Sequence, residues 1–151
     1  MDYGPFGFCE LFDPRFQPWT GGGEHFSFIN QPSAAEINFK TFCSSLSPLL
    51  LESKDDLEKL EQIKMDFSEL MNKELMKMWA NKLGLEHYNE TLINEFFNLM
   101  IISKADYTIL FRKLSEIPDN LDSLKDCFYL PINDEHNNRL SLIHISEPTR
   151  R

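Results

Sequence analysis

The sequence predicts a mainly α-helical protein in which an ordered loop rich in glycine, proline and aromatic residues precedes four to five packed helices. Three observations lead there. Residues 1–32 carry Gly4, Pro5, Gly7, Pro14, Pro18 and the Gly21-Gly22-Gly23 triplet, punctuation that interrupts any long helix. From Ser33 onward apolar residues recur at helical spacing, with start and stop signals repeated along the chain. No run alternates apolar and polar residues for long enough to form a strand.

The loop is expected to be packed rather than to act as a tether. Tyr3, Phe6, Phe8, Phe12, Phe16 and Trp19 give it more apolar surface than a solvated linker carries, which points to a functional segment. The helices follow in order. Ser33 and Glu36 form a capping-box pattern after Pro32, and Ala35, Phe39, Phe42 and Leu46 share one face until Pro48 stops the run. Ser53 with Asp56 starts a second helix, whose stripe of Leu57, Leu60, Ile63, Phe67, Leu70, Met71, Leu75 and Met78 runs toward Gly84, a C-terminal cap. Its length allows a break near Ser68.

Asn89 caps a third helix that carries Leu92, Ile93, Phe96, Phe97 and Met100 inward. Ser103 with Asp106 repeats the capping pattern for a fourth, which buries Leu110, Phe111 and Leu114 and ends before Pro118. A weaker fifth runs from Leu121 to about Tyr129. Met65, Met71, Met76 and Met78 read as helix packing. The charges from Glu52 to Glu61 read as a solvated face, and Asp55, Asp56 and Glu58 as first-turn acids that the helix dipole favours.

A formal net charge of -9 opposes nucleic-acid binding, which needs clustered cations to displace counterions, and opposes an anionic membrane surface. Cys9, Cys43 and Cys127 are far apart and never in a CxxC pair, which fits free thiols in a reducing compartment and not a zinc site. His25, His87 and His136 have no Ser or Cys partner at a motif spacing. The start lacks the basic and apolar regions of a signal peptide, and no apolar run approaches the roughly 20 residues that span a bilayer. The expected location is the cytoplasm.

One segment is hard to explain as scaffold: Asp2-Tyr3-Gly4-Pro5-Phe6-Gly7-Phe8. Kinase-like enzymes use the order Asp-aromatic-Gly to hold Mg²⁺ against the phosphates of ATP, since a hard cation takes carboxylate oxygen and glycine permits the sharp bend. That short order is common by chance, so the wider run decides. Phe12-Asp13-Pro14 with Phe16, then Phe26-Ser27-Phe28 and Asn30-Gln31-Pro32, continue the segment in an order and spacing that resemble the selenoprotein O (SelO) family. Asn38, Leu46-Ser47-Pro48-Leu49, Lys82-Leu83-Gly84-Leu85 and Ser103-Lys104-Ala105-Asp106-Tyr107-Thr108 extend the resemblance to about residue 117.

The resemblance implies part of the C-terminal lobe of a kinase-like fold that transfers AMP from ATP to protein hydroxyls of Ser, Thr or Tyr. By the same resemblance Asp2 is the ligand of Mg²⁺ or Mn²⁺, Gly4 and Gly7 are backbone hinges, and Phe6 and Phe8 are packing anchors. ATP and protein substrates are the implied partners. The family's phosphate loop, nucleotide-binding Lys and Arg residues and Asp-Asn pair are missing from this chain, so it is expected to be inactive alone. The sequence also departs from the family at Trp19-Thr20-Gly21-Gly22-Gly23-Glu24-His25, where relatives carry Asn-His-Ser-Asp and then Gly-Arg-Tyr. Kinase-type phosphoryl transfer and a non-catalytic helical interaction domain are the alternative readings.

The run from Leu140 to Arg150 reverse-translates to something resembling the end of a transposase-type sequencing adapter, so residues 140–151 are expected to be a non-native tail. Without them two arginines and one glutamate are lost and the balance moves from -9 to -10. The expected organisation is therefore a metal-binding, activation-type loop over 1–32, a helical portion over 33–139, and the tail.

Overall fold

The computed structural model describes residues 10–17, 23, 27–116 and 121–130, and among them helix dominates. Four α-helices follow in order: α1 (Gln31–Leu46), α2 (Lys54–Lys82), α3 (Glu90–Ile102) and α4 (Tyr107–Ser115). Short 3₁₀ segments at Phe28–Asn30, Ser47–Leu50 and Leu121–Cys127 lead into or between them. The described residues contain no strand, only an isolated antiparallel bridge between Ala105 and Phe128.

Helix α1 begins earlier than its capping pattern predicts. Asn30 is the residue before its first turn, and Pro32 occupies an N-terminal position where a missing N–H leaves no helical bond unmade. Ser33 therefore lies inside the helix, and Glu36 turns to Lys40 and to the Ser68 hydroxyl of α2. Those two hydrogen bonds, Lys40 first, hold the Glu36 carboxyl below its usual range. The inward face differs as well. Phe39 stacks on Phe67 of α2 at 4.4 Å and Cys43 is the buried residue, which turns Phe42, expected inward, out to solvent.

Helix α2 starts as its sequence predicts, with the Ser53 side chain accepting from the Asp56 N–H. It then runs unbroken past Ser68, whose hydroxyl bridges to α1 instead of loosening its own helix. Its burial does not follow one stripe. Leu60 is buried in the first half, while Ala80, and Leu83 just beyond the end, belong to the main core. Ile63, Leu70 and Met78, expected inward, are exposed, as are Met65 and Met76, so helix packing describes only the half-buried Met71 among the four methionines. The reason is that α1 covers the first half of α2 and the core covers the second half from another side.

Both α2 and α3 end in the same left-handed turn. Gly84, at φ 72°, lets its N–H reach the Asn81 carbonyl at 3.2 Å and the Leu85 N–H reach Ala80 at 2.8 Å. Helix α3, capped by Asn89, buries Leu92, Ile93, Phe96, Leu99 and Met100. It terminates with Lys104 at φ 51° and with the Ala105 N–H on the Met100 carbonyl at 2.9 Å.

The cap of α4 is Asp106, which accepts from the Ile109 N–H at 2.8 Å, and not Ser103. Ser103 closes α3 instead, its hydroxyl donating to the Leu99 carbonyl at 2.6 Å. The two helices abut so closely that one polar pattern spans both the stop and the start. The fifth element is a 3₁₀ helix over Leu121–Cys127, not an α-helix to Tyr129. Three residues per turn put Leu124 and Cys127 on one side, and both are fully buried.

Phe96→Ala is expected to cost about 3–5 kcal/mol, and Phe42→Ala less than about 0.5 kcal/mol, in urea unfolding. Equal losses would mean that Phe42 is packed inside. Lys104→Gly removes the steric cost of a left-handed non-glycine residue and is expected to raise stability by about 1 kcal/mol; a loss on that substitution would refute the left-handed assignment.

Candidate functional site

The expected site residues Asp2, Gly4, Phe6 and Gly7 lie outside the described residues, as does the expected non-native stretch Leu140–Arg151. The structure describes the chain from Glu10 onward, and with it the seat on which Phe12 rests. Phe12 is the anchor, only 4% exposed. Its N–H donates to the Ala105 carbonyl at 2.7 Å, and its ring stacks on Tyr107 with centroids 5.6 Å apart, between Phe28 and Phe97. Desolvating that ring beside three others is the main force that fixes the loop.

Past the anchor, local hydrogen bonds turn the chain. The Asp13 carboxylate accepts from the Arg15 N–H at 2.8 Å and its carbonyl accepts from the Phe16 N–H at 3.0 Å. The Phe16 carbonyl then accepts from Phe28 at 2.9 Å and the Pro14 carbonyl from Ile29 at 3.2 Å, which brings residues 14–16 against the entry to α1. Before the anchor, the Glu10 carboxylate accepts from the Tyr129 hydroxyl at 2.8 Å, a bond that keeps the phenol protonated above its ordinary range. Sequence reasoning missed this pair, because nothing local links residues so distant.

Two grooves adjoin this seat. One, of about 440 Å³, is lined by Arg15, Gln17, Ser27 and Asn30, and the buried Oε1 of Gln17 there has no hydrogen-bond partner. The other, of about 480 Å³, is lined by Glu74, Lys77, Met78, Asn81 and Lys82. The Lys82 ammonium lies 4.4 Å from the ring centre of Phe111, 4.9 Å from Tyr107 and 5.8 Å from Trp79, so it caps the aromatic cluster from the solvent side. Apolar periodicity could not have found that role. The only sequence signal was the place of Lys82 in Lys82-Leu83-Gly84-Leu85.

Other candidate chemistry resolves into structure. Asp56 helps to cap α2, and hydrogen bonds from Ser53 and then Lys59 lower its pKa. Cys43 and Cys127 are free and buried, and burial pushes the Cys127 thiol up. Among the described residues no three His, Cys, Asp or Glu side chains converge to hold a metal ion, and no helix is long and apolar enough to cross a membrane.

The amino-acid sequence relates this chain to known proteins. It belongs to the SelO family: the model of that family, described as protein adenylyltransferase SelO, matches residues 1–138. A protein of Aromatoleum aromaticum named protein nucleotidyltransferase YdiU is 31% identical over 137 residues, covering 85% of this chain and 25% of the relative. Proteins of the same name from Flavobacterium johnsoniae and Alkaliphilus metalliredigens are both 36% identical, over 122 and 121 residues, and the matches cover 78% and 76% of this chain. The chain spans about a quarter of the length of these relatives. No solved structure matches it.

Phe12→Ala is expected to destabilise the fold by about 3–5 kcal/mol and to speed tryptic cleavage after Arg15. An unchanged cleavage rate would show that the ring does not hold the loop.

Proposed function

We propose that this chain is part of an ATP-dependent protein adenylyltransferase that moves AMP from ATP to Ser, Thr or Tyr hydroxyls of other proteins. The observation that carries the reading is the family match over residues 1–138, which contains Asp2-Tyr3-Gly4-Pro5-Phe6-Gly7-Phe8. In the proposed reaction the acceptor hydroxyl oxygen bonds to the α-phosphorus, pyrophosphate leaves, and the hydroxyl proton passes to a base outside this chain. Asp2 is the proposed ligand of Mg²⁺ or Mn²⁺, its carboxylate holding the cation that would face the phosphates, and Gly4 and Gly7 are the proposed backbone hinges. A bound divalent ion supplies neutralisation of phosphate charge.

The chemistry of the donor set supports this role in part. Mg²⁺ is commonly held by one or two carboxylates together with substrate phosphates and water, so one aspartate suits it without a closed protein cage. One ligand does not position ATP, however, and catalysis of this kind is mostly positioning and charge neutralisation. The helices α1 to α4 serve as the platform, equivalent to part of a kinase-like C-terminal lobe, and Phe12 fixes the loop that leaves the metal-binding segment. The 151 residues alone are therefore proposed to be inactive. The reading puts the whole enzyme in the cytoplasm, or in the mitochondrion of a eukaryotic source.

The test compares this chain with the full-length Aromatoleum aromaticum relative, each given ATP, Mg²⁺ and a protein mixture, with modification read by mass. The relative is expected to add AMP. Replacing its aspartate aligned with Asp2 by alanine should lower the rate by about 100-fold or more, since even outer-shell partners of a metal are worth about 10–100-fold. The chain alone should transfer nothing. Added phosphate in place of AMP would favour kinase chemistry, and full activity of the alanine variant would remove Asp2 from the metal site.

A further inference from the structure

The hairpin formed by α1 and α2 is sparsely packed for its length. Helix α1, of 16 residues, buries Cys43 alone, and α2, of 29 residues, buries Leu60 and Ala80, whereas the 13-residue α3 buries five side chains. Helices in proteins draw most of their stability from a covered apolar face. Here the apolar residues are present and uncovered: Phe42, Ile63 and Leu70 are 57%, 56% and 57% exposed.

These three residues share one side of the hairpin. Phe39 and Phe67 mark its seam, stacked at 4.4 Å, and the bond from Ser68 to Glu36 fixes the antiparallel register. Phe42 follows Phe39 by three residues, and Leu70 follows Phe67 by three. The local two-fold symmetry of an antiparallel helix pair puts those equivalent positions on the same side. Ile63, one heptad before Leu70, joins them. Single exposed apolar residues are ordinary, but a contiguous stripe marks an interaction surface.

We propose that this stripe is a docking face, covered in the complete enzyme by a part of the polypeptide outside this chain whose apolar centre is framed by basic side chains. Two observations select that occupant over a second copy. The chain covers 25%, 23% and 24% of three relatives, which leaves about three quarters of such a protein to supply the cover. The segment that carries Ile63 and Leu70 is acidic: residues 54–70 hold three lysines against six carboxylates in a chain of net charge -9, so two copies would set like charges together. The proposal rests on family membership and is independent of the transferred group.

The test uses the full-length Aromatoleum aromaticum relative with its native cysteines replaced and single cysteines introduced at the positions aligned with Phe42, Ile63 and Leu70. A control cysteine takes the position aligned with Glu69, which is exposed and lies about 100° around α2 from Leu70. In variants whose circular dichroism matches the parent, the three stripe thiols should react with a maleimide at least about 10-fold more slowly than the control, as expected of covered apolar positions. Reaction as fast as the control overturns the proposal. Protection that fades on dilution, together with a dimer in sedimentation, overturns it in favour of a second copy. In the 151-residue chain, the combined variant Phe42→Ser, Ile63→Ser, Leu70→Ser should bind less of an apolar dye at unchanged helicity, and undiminished dye binding counts against the proposal.

Discussion

The corner between α3 and α4 is the constraint on which the remaining contacts depend. Over residues 103–106 the backbone bonds to several separate parts of the chain at once. The Ser103 carbonyl accepts from Leu130, the Lys104 carbonyl from Tyr129, and the Ala105 carbonyl from Phe12, while the Asp106 N–H donates to Cys127. Buried peptide groups must be paired, so one helix-to-helix junction fixes both the loop at the start of the described chain and the 3₁₀ segment at its end. Ala105 is fully buried there, and a larger side chain would force these strands of backbone apart.

The aromatic cluster converts that backbone junction into a platform. Phe12, Phe28, Phe97, Tyr107 and Phe111 pack edge-to-face, tilted or stacked against one another, and Lys82 closes the cluster on its wet side. Two of the short stretches that resemble the family beyond the loop, Lys82-Leu83-Gly84-Leu85 and Ser103-Lys104-Ala105-Asp106-Tyr107-Thr108, hold the left-handed corners of the described residues, at Gly84 and Lys104. Their place in the chain is therefore geometric. Each ends a helix and returns the chain to the same core.

Much of the architecture was legible because it is set locally. Ser53 and Asn89 cap their helices through bonds within one turn, and Gly84 ends α2 by adopting a conformation that costs glycine little. What local pattern does not carry is which neighbour covers which side. Phe42, Ile63 and Leu70 have sound helical spacing yet face solvent, because the inward direction of α1 and α2 is decided by the Phe39–Phe67 contact and by a core that meets α2 on another side. The Ser103 pattern failed for a related reason: stop and start signals overlap where two helices abut. Of the site, Asp2, Gly4, Phe6 and Gly7 are expectations that rest on family resemblance and lie outside the described residues, whereas the Glu10–Tyr129 bond joins residues with no local relation.

Helix α2 also has a bearing on cooperativity. At about 1.5 Å per residue its 29 residues form a rod about 43 Å long, gripped on one side by α1 and on another by the core. Its second half shares the fate of the densest contacts in the molecule, and its first half leans on a seam of few buried side chains. Backbone amides along one continuous helix thus belong to two opening units, and the boundary between slow and fast hydrogen exchange falls inside a secondary-structure element instead of at its end.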